Sequence, residues 1–338
     1  MSIDSNIPLL LSLLFIAGGL FLLSWSADKF VEGSAAVARA FGVSPFVVGM
    51  VIIGFGTSAP ELCVSTLSGL SGHANLSLGN AYGSCIFNLA AILGVAAMIR
   101  PLKVKPSVCA VAVPLLLGVT ALSYFVVRDM DFSRMNGFIL LGVFAVMMPL
   151  YCLYDQKSNA QPEEARDDGA AQPVAGTPPL GASIFWVVAG LALLVGSSHL
   201  LVWGCVDFAR DVLHVSDLLI GLTVVAAGTS LPELASAIAS ARRGEHEFVI
   251  GNIVGSNLFN TLAVVGLAGS ISPYANYSRY VVTRDIPVMA IMSLSILVFG
   301  LNWRNFRKDG QIERWEGALW MLIFVGYLAV MVKQEAGL

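Results

Sequence analysis

Two glutamates, Glu61 and Glu233, each follow a proline inside an apolar stretch, in the segments GTSAPEL (56–62) and GTSLPEL (228–234). A carboxylate deep in a spanning segment is costly, and where one occurs it marks an ion or substrate path. Neither stretch holds a Lys or Arg at comparable depth to neutralise it. Pro60 and Pro232 lack a backbone donor and crowd the carbonyl four residues earlier. That frees oxygens around Gly56 and Gly228, and with Gly54 nearby these helices should break or unwind beside the carboxylates. Irregular backbone is tolerated at depth only where it lines a cavity or is buried in protein, and freed carbonyls are hard donors of the kind Ca²⁺ takes.

Helical spacing collects more oxygen. Thr57 lies four residues before Glu61, and Thr229 four before Glu233, so each pair shares a face. The segments GNAYGSCIFN (79–88) and GNIVGSNLFN (251–260) carry the stripes Asn80, Ser84, Asn88 and Asn252, Ser256, Asn260 at every fourth position. Small-residue spacing at Gly79–Gly83 and Gly251–Gly255 suits close helix packing. Asn80 and Asn252 are read as part of that packing, and Ser84, Asn88, Ser256 and Asn260 as ligands. A set of carboxylates, hydroxyls, amides and carbonyls with no His or Cys pair disfavours soft metals. Its two carboxylates match the charge of one Ca²⁺, and several Na⁺ could use the same oxygens. Mutual exclusion of two ions at one site is the physical minimum for exchange.

The elements that carry these residues are membrane helices. The 338-residue chain is 57% hydrophobic and 12% charged, with a mean hydropathy of +0.79, where soluble domains carry roughly 25% charged residues. Apolar runs of about 20 residues match the bilayer core, so an all-α membrane protein is expected. Ten spans are predicted: 8–26, 44–70, 75–98, 106–127, 133–154, 181–206, 215–240, 246–270, 280–301 and 315–332. The first is read as a helix rather than a signal peptide, since no basic segment precedes it. Residues 155–180, rich in Pro, Ala, Gly and acidic side chains, read as a disordered linker between five-helix halves, 1–154 and 181–338.

A shift of 172 residues superimposes 44–101 on 216–273 without a gap, with 21 identities in 58 positions, clustered on Gly, Pro and polar residues. Five helices per half would set the second copy upside down, an arrangement many secondary transporters share. Lys and Arg divide 13 against 6 when the N-terminus is placed outside, so both termini are expected outside and the linker in the cytoplasm. The net charge of −3 points to no nucleic-acid partner. Five scattered cysteines read as buried apolar thiols, and the absence of HExxH and GxSxG motifs, with four unclustered histidines, argues against an enzyme. A passive channel fits paired inverted halves around one centre less well than alternation does.

These paired motifs resemble the Ca²⁺/cation antiporter superfamily, and within it the bacterial sodium/calcium exchangers, over nearly the whole chain. The resemblance implies an antiporter of the bacterial inner membrane, with Ca²⁺ and Na⁺ as transported substrates and no cofactor. It implies that Glu61 and Glu233 are the central Ca²⁺ ligands, completed by Thr57, Thr229 and carbonyls near Gly54 and Ala226. Ser58, Ser84, Ser230 and Ser256 would serve flanking Na⁺ positions, Asn88 and Asn260 would face the centre, and the first and sixth helices would slide across the other eight. Many relatives carry Asp where this chain has Asn260, and in the K⁺-dependent branch that Asp is tied to K⁺ use, so K⁺-independent exchange is expected. The second departure is Cys85, where the other repeat has Asn257. Ca²⁺/H⁺ exchange is the rival reading, since glutamates in a dry site can carry protons. Proton-coupled relatives, however, place an acidic residue just after the GNxx stretch, where this chain has Gly83 and Gly255, so Na⁺ coupling is favoured.

Overall fold

The computed structural model describes residues 9–41, 43–159, 179–211, 226–275 and 277–335. In chain order the helices are α1 (Leu9–Phe41), α2 (Pro45–Thr57), α3 (Ala59–Leu70), α4 (Ala74–Ile99), α5 (Val108–Val127), α6 (Arg134–Asn159), α7 (Leu180–Asp211), α8 (Ala226–Thr229), α9 (Leu231–Arg243), α10 (His246–Ile271), α11 (Val281–Gly300) and α12 (Arg314–Glu335). Among the described residues eight helices are long and apolar enough to cross a bilayer, and α2 with α3 forms a ninth candidate bent by 44°. The chain is a multi-pass, all-helical membrane protein. The start of the expected span at 215–240 and most of the expected linker (160–178) lie outside the described residues.

Several ends differ from the expected ones. Helix α1 runs to Phe41 rather than to 26. Nothing in ADKFVEGSAAVARAF breaks a helix as Pro would, and Lys29 pairs with Glu32 one turn on at 3.2 Å. At 1.5 Å per residue its 33 residues span about 50 Å, so its charged end extends past an apolar layer of about 30 Å. Helices α6 and α7 likewise continue to Asn159 and Asp211.

Burial separates a core from a periphery. In α10, 94% of the apolar window is buried, and in α4 72%, against between 17% and 44% in the other long helices. The two spans bearing GNxxGSxxxN are thus the most buried of the eight long helices among the described residues. Glycines let α10 lie against α2: a Cβ on Gly251 or Gly255 would strike the backbone of Phe46 or Met50, and one on Gly54 would sit 2.9 Å from Ser256 N. Nothing described lies within 4 Å of the corresponding points on Gly79 and Gly83.

Features recur at the 172-residue offset. Gly72 and Gly244 end α3 and α9 with φ of +78° and +76°, a conformation glycine adopts without strain. Within one residue of that offset, π-helical turns occur at Phe87–Ile92 and Asn260–Val264, and again at Val108–Ala112 and Val281–Asp285. Four short strands, β1 (Leu102–Val104), β2 (Asp131–Phe132), β3 (Tyr274–Ala275) and β4 (Gly310–Ile312), pair antiparallel as β1 with β4 and β2 with β3. Each pair joins one strand from each half, and because α5 and α11 run between them the two ladders sit at opposite ends of the bundle.

Candidate functional site

Both glutamates lie at a helix start. Ser58 (φ −83°, ψ 7°) interrupts α2 and α3, and Ser230 (φ −92°, ψ 10°) interrupts α8 and α9. The prolines then fall in the first turn of α3 and α9, where a missing N–H costs no helical bond. Glu61 and Glu233 follow in that same first turn, where the helix dipole favours negative charge. Of the two expected forms, a break or an unwinding, the structure has the break: a bend at a single residue, with helix resumed on either side. A proline at a new N-terminus satisfies the same constraint as an unwound segment, with fewer orphaned backbone groups.

The halves meet through these residues. Ser58 Oγ donates to Glu233 Oε1 at 2.9 Å, and Ser230 Oγ donates to Glu61 Oε1 at 2.9 Å. Glu61, Glu233, Ser58 and Ser230 are completely buried. The second oxygen of each carboxylate, Oε2, has no hydrogen-bond partner among the described residues, nor does Asn88 Oδ1 or either amide atom of Asn260. No ion pair reaches either glutamate among the described residues. Buried oxygens left this way are costly, and each calls for a specific explanation.

The remaining candidates lie on α2, α4, α8 and α10. Ser84 Oγ lies 3.2 Å from Ser230 Oγ, linking α4 to the Glu61 side. Ser256 Oγ donates to the Gly54 carbonyl at 3.2 Å, an oxygen that also accepts the Ser58 N–H. Thr57 Oγ1 donates to the Ile53 carbonyl at 2.8 Å, and Thr229 Oγ1 lies 3.5 Å from Asn80 Oδ1. Asn88 Nδ2 donates to Asn257 Oδ1 at 3.2 Å. Ala226 opens α8. Hydrogen bonds are thus placed for nine of the candidate side chains and for the Gly54 carbonyl, while the Asn260 side chain has none among the described residues. Among the described residues no group of three His, Cys, Asp or Glu side chains comes together, so hydroxyls, amides and backbone supply most of the oxygens.

Three supporting features escaped the sequence reading. Asn80 Nδ2 donates to the Glu61 carbonyl at 3.2 Å and to Ser65 Oγ at 2.9 Å. Asn252 Nδ2 does the same to the Glu233 carbonyl at 3.4 Å and Ser236 Oγ at 3.1 Å. These asparagines therefore hold the glutamate-bearing backbone in place, which is a more specific role than packing. Ser198 Oγ donates at 2.9 Å to the Gly228 carbonyl that Pro232 leaves unpaired. Its counterpart at the repeat offset, Ser26, bonds Leu23 O within its own helix at 3.1 Å. The recurrence of serine at 26 and 198 was the available signal.

The family profile described as "Sodium/calcium exchanger protein" matches residues 11–152 and 182–333. A protein of Alkalimonas amylolytica named CaxA is 38% identical over 320 residues, covering 94% of this chain and 98% of that one. The inner membrane protein YrbG of Escherichia coli is 33% identical over 327 residues, covering 96% and 97%. The solved structure of the sodium-calcium exchanger NCX_Mj, from crystals soaked without Na⁺ and Ca²⁺, superimposes with a TM-score of 0.79 at 29% identity, over 94% of this chain and 98% of that one. With a match running through both halves, the chain belongs to the sodium/calcium exchanger family of cation antiporters.

Proposed function

We propose that this protein exchanges Ca²⁺ for Na⁺ by alternating access at one site shared by two inverted five-helix halves, ten spans in all. The observation that carries the reading is the reciprocal pair Ser58–Glu233 and Ser230–Glu61. It joins the halves and leaves one carboxylate oxygen on each side for a cation. Glu61 and Glu233 are the central Ca²⁺ ligands, with Thr57, Thr229 and the Gly54 and Ala226 carbonyls completing the shell. Ser58, Ser230, Ser84 and Ser256 serve Na⁺, and Asn88 and Asn260 face the centre. Two carboxylates balance one Ca²⁺, and oxygens of this kind suit Na⁺ as well, so either ion excludes the other.

Further observations support the arrangement. The two strand ladders, each shared between halves at opposite ends of the bundle, are what an inverted repeat would produce. Basic residues assigned to the cytoplasmic face meet acidic residues assigned to the same face: Arg243 Nη2 lies 3.7 Å from Glu32 Oε2, and Lys105 Nζ 2.7 Å from Glu247 Oε1. This is consistent with both termini outside and the 155–180 linker in the cytoplasm of a bacterial cell. The long contact of α1 with α7 suits a pair that moves as a unit across the remainder. The test is Ca²⁺ uptake into Na⁺-loaded proteoliposomes, with and without K⁺ and a pH gradient. Uptake that needs internal Na⁺ and ignores K⁺ is expected. Uptake driven by the proton gradient alone would replace this reading with Ca²⁺/H⁺ exchange.

A further inference from the structure

Asn257 is held by a group that can only accept a hydrogen bond. Its Nδ2 donates to the Cys85 carbonyl at 3.2 Å. A main-chain carbonyl has no proton to give, so Asn257 must turn its nitrogen toward Cys85 and offer Oδ1 on its other side. Asn88 Nδ2 donates to that oxygen at 3.2 Å. The Asn88 amide is thereby fixed with its nitrogen engaged and its oxygen unpartnered among the described residues, although fully buried. Ser84, one turn earlier on the same stripe of α4, reaches Ser230 and through it Glu61. The unpartnered oxygen therefore belongs to the face of α4 that carries the site.

The other half lacks this device. Cys85 occupies the position that Asn257 holds at the repeat offset. Its Sγ lies 3.8 Å from the Asn257 carbonyl and 3.7 Å from Thr261 Oγ1. A thiol is a weak acceptor, and both amide atoms of Asn260 have no partner among the described residues.

We propose that Asn257 is a positioning residue that orients Asn88 as an oxygen ligand, so that the two halves contribute unequally: Asn88 is a fixed oxygen, Asn260 a rotatable amide. The inference rests on the shared Ca²⁺ site proposed above. Its test is calorimetric titration of Ca²⁺ into the purified full-length protein in Na⁺-free detergent, which does not depend on the coupling ion. Outer-shell partners of metal ligands are worth about 10- to 100-fold in affinity, so Asn257→Ala should weaken binding about tenfold. An alanine at position 88 leaves no amide to orient. In an Asn88→Ala background, Asn257→Ala should therefore change binding by less than about twofold, the non-additivity expected of residues acting through one contact. Asn257→Asp in protonated form can donate to the Cys85 carbonyl and accept from Asn88, and should bind no more weakly than wild type. The inference is overturned if Asn257→Ala costs nothing, if its cost persists in the Asn88→Ala background, or if Asn257→Asp is as weak as Asn257→Ala. Wild-type protein that binds no Ca²⁺ would instead overturn the shared-site reading, and would do so before any substitution is made.

Discussion

Ser58 in the N-terminal half donates its hydroxyl to Glu233 Oε1 in the C-terminal half at 2.9 Å, across 175 positions of sequence. Ser230 and Glu61 make the same contact in reverse. Each glutamate is thus oriented by the opposite half, so the geometry of the carboxylate pair exists only when the halves are assembled.

That reciprocity predicts matched effects. Ser58→Ala and Ser230→Ala should each raise the Ca²⁺ concentration for half-maximal uptake by about tenfold, the lower end of the cost of removing a ligand's supporting contact. The two factors should agree within about threefold, the usual context scatter for one kind of contact. Initial uptake rates in proteoliposomes check this, and an effect confined to one serine would show that the symmetry is only sequence-deep.

Close approach of α10 to α2 predicts a contrast between a packed and an exposed glycine. Gly255→Ala places a Cβ against the Met50 backbone, which cannot move aside as a side chain tip can, and should cost about 1–3 kcal/mol as overpacking does. Gly326→Ala, on the exposed side of α12, meets nothing described within 4 Å and should stay within about 0.5 kcal/mol, as for substitutions away from packed features. Thermal unfolding in detergent measures both. Equal losses would mean that the contact of α10 with α2 is no tighter than the exposed face of α12.

The orientation makes a topological prediction. In a background freed of the five native cysteines, Asp129→Cys, beside β2, should react with a membrane-impermeant maleimide on intact cells. Lys308→Cys, beside β4, should react only after the membrane is opened. The reverse pattern would invert the assignment while leaving the fold intact.

Much of the candidate site was legible because charge and proline are rare inside apolar segments. Glu61, Glu233 and their prolines stood out against that background, and the 172-residue repeat singled out the same residues twice. What stayed hidden was partnership. Spacing placed Thr57 near Glu61 but had no means of showing that Ser58 would serve the glutamate of the other half, since that contact depends on how two distant helices cross. Sequence left a break and an unwinding equally open at Ser58, because a proline removes a donor in either case, and only the backbone path shows that the helix restarts. The end of α1 was missed because polarity was taken as its limit, whereas a helix can leave the membrane and continue in water. The strands at 102–104 and 310–312 are too short to show any alternation.

The central claim is one cation site shared by Ca²⁺ and Na⁺ and built from both halves. Equilibrium binding of radiolabelled Ca²⁺ to the purified protein, at rising Na⁺ and for wild type, Glu61→Gln and Glu233→Gln, tests it most directly. The account predicts one Ca²⁺ per chain, displaced by Na⁺ in the wild type and lost in both variants. Ca²⁺ that stays bound as Na⁺ rises, or that survives either substitution undiminished, would contradict it.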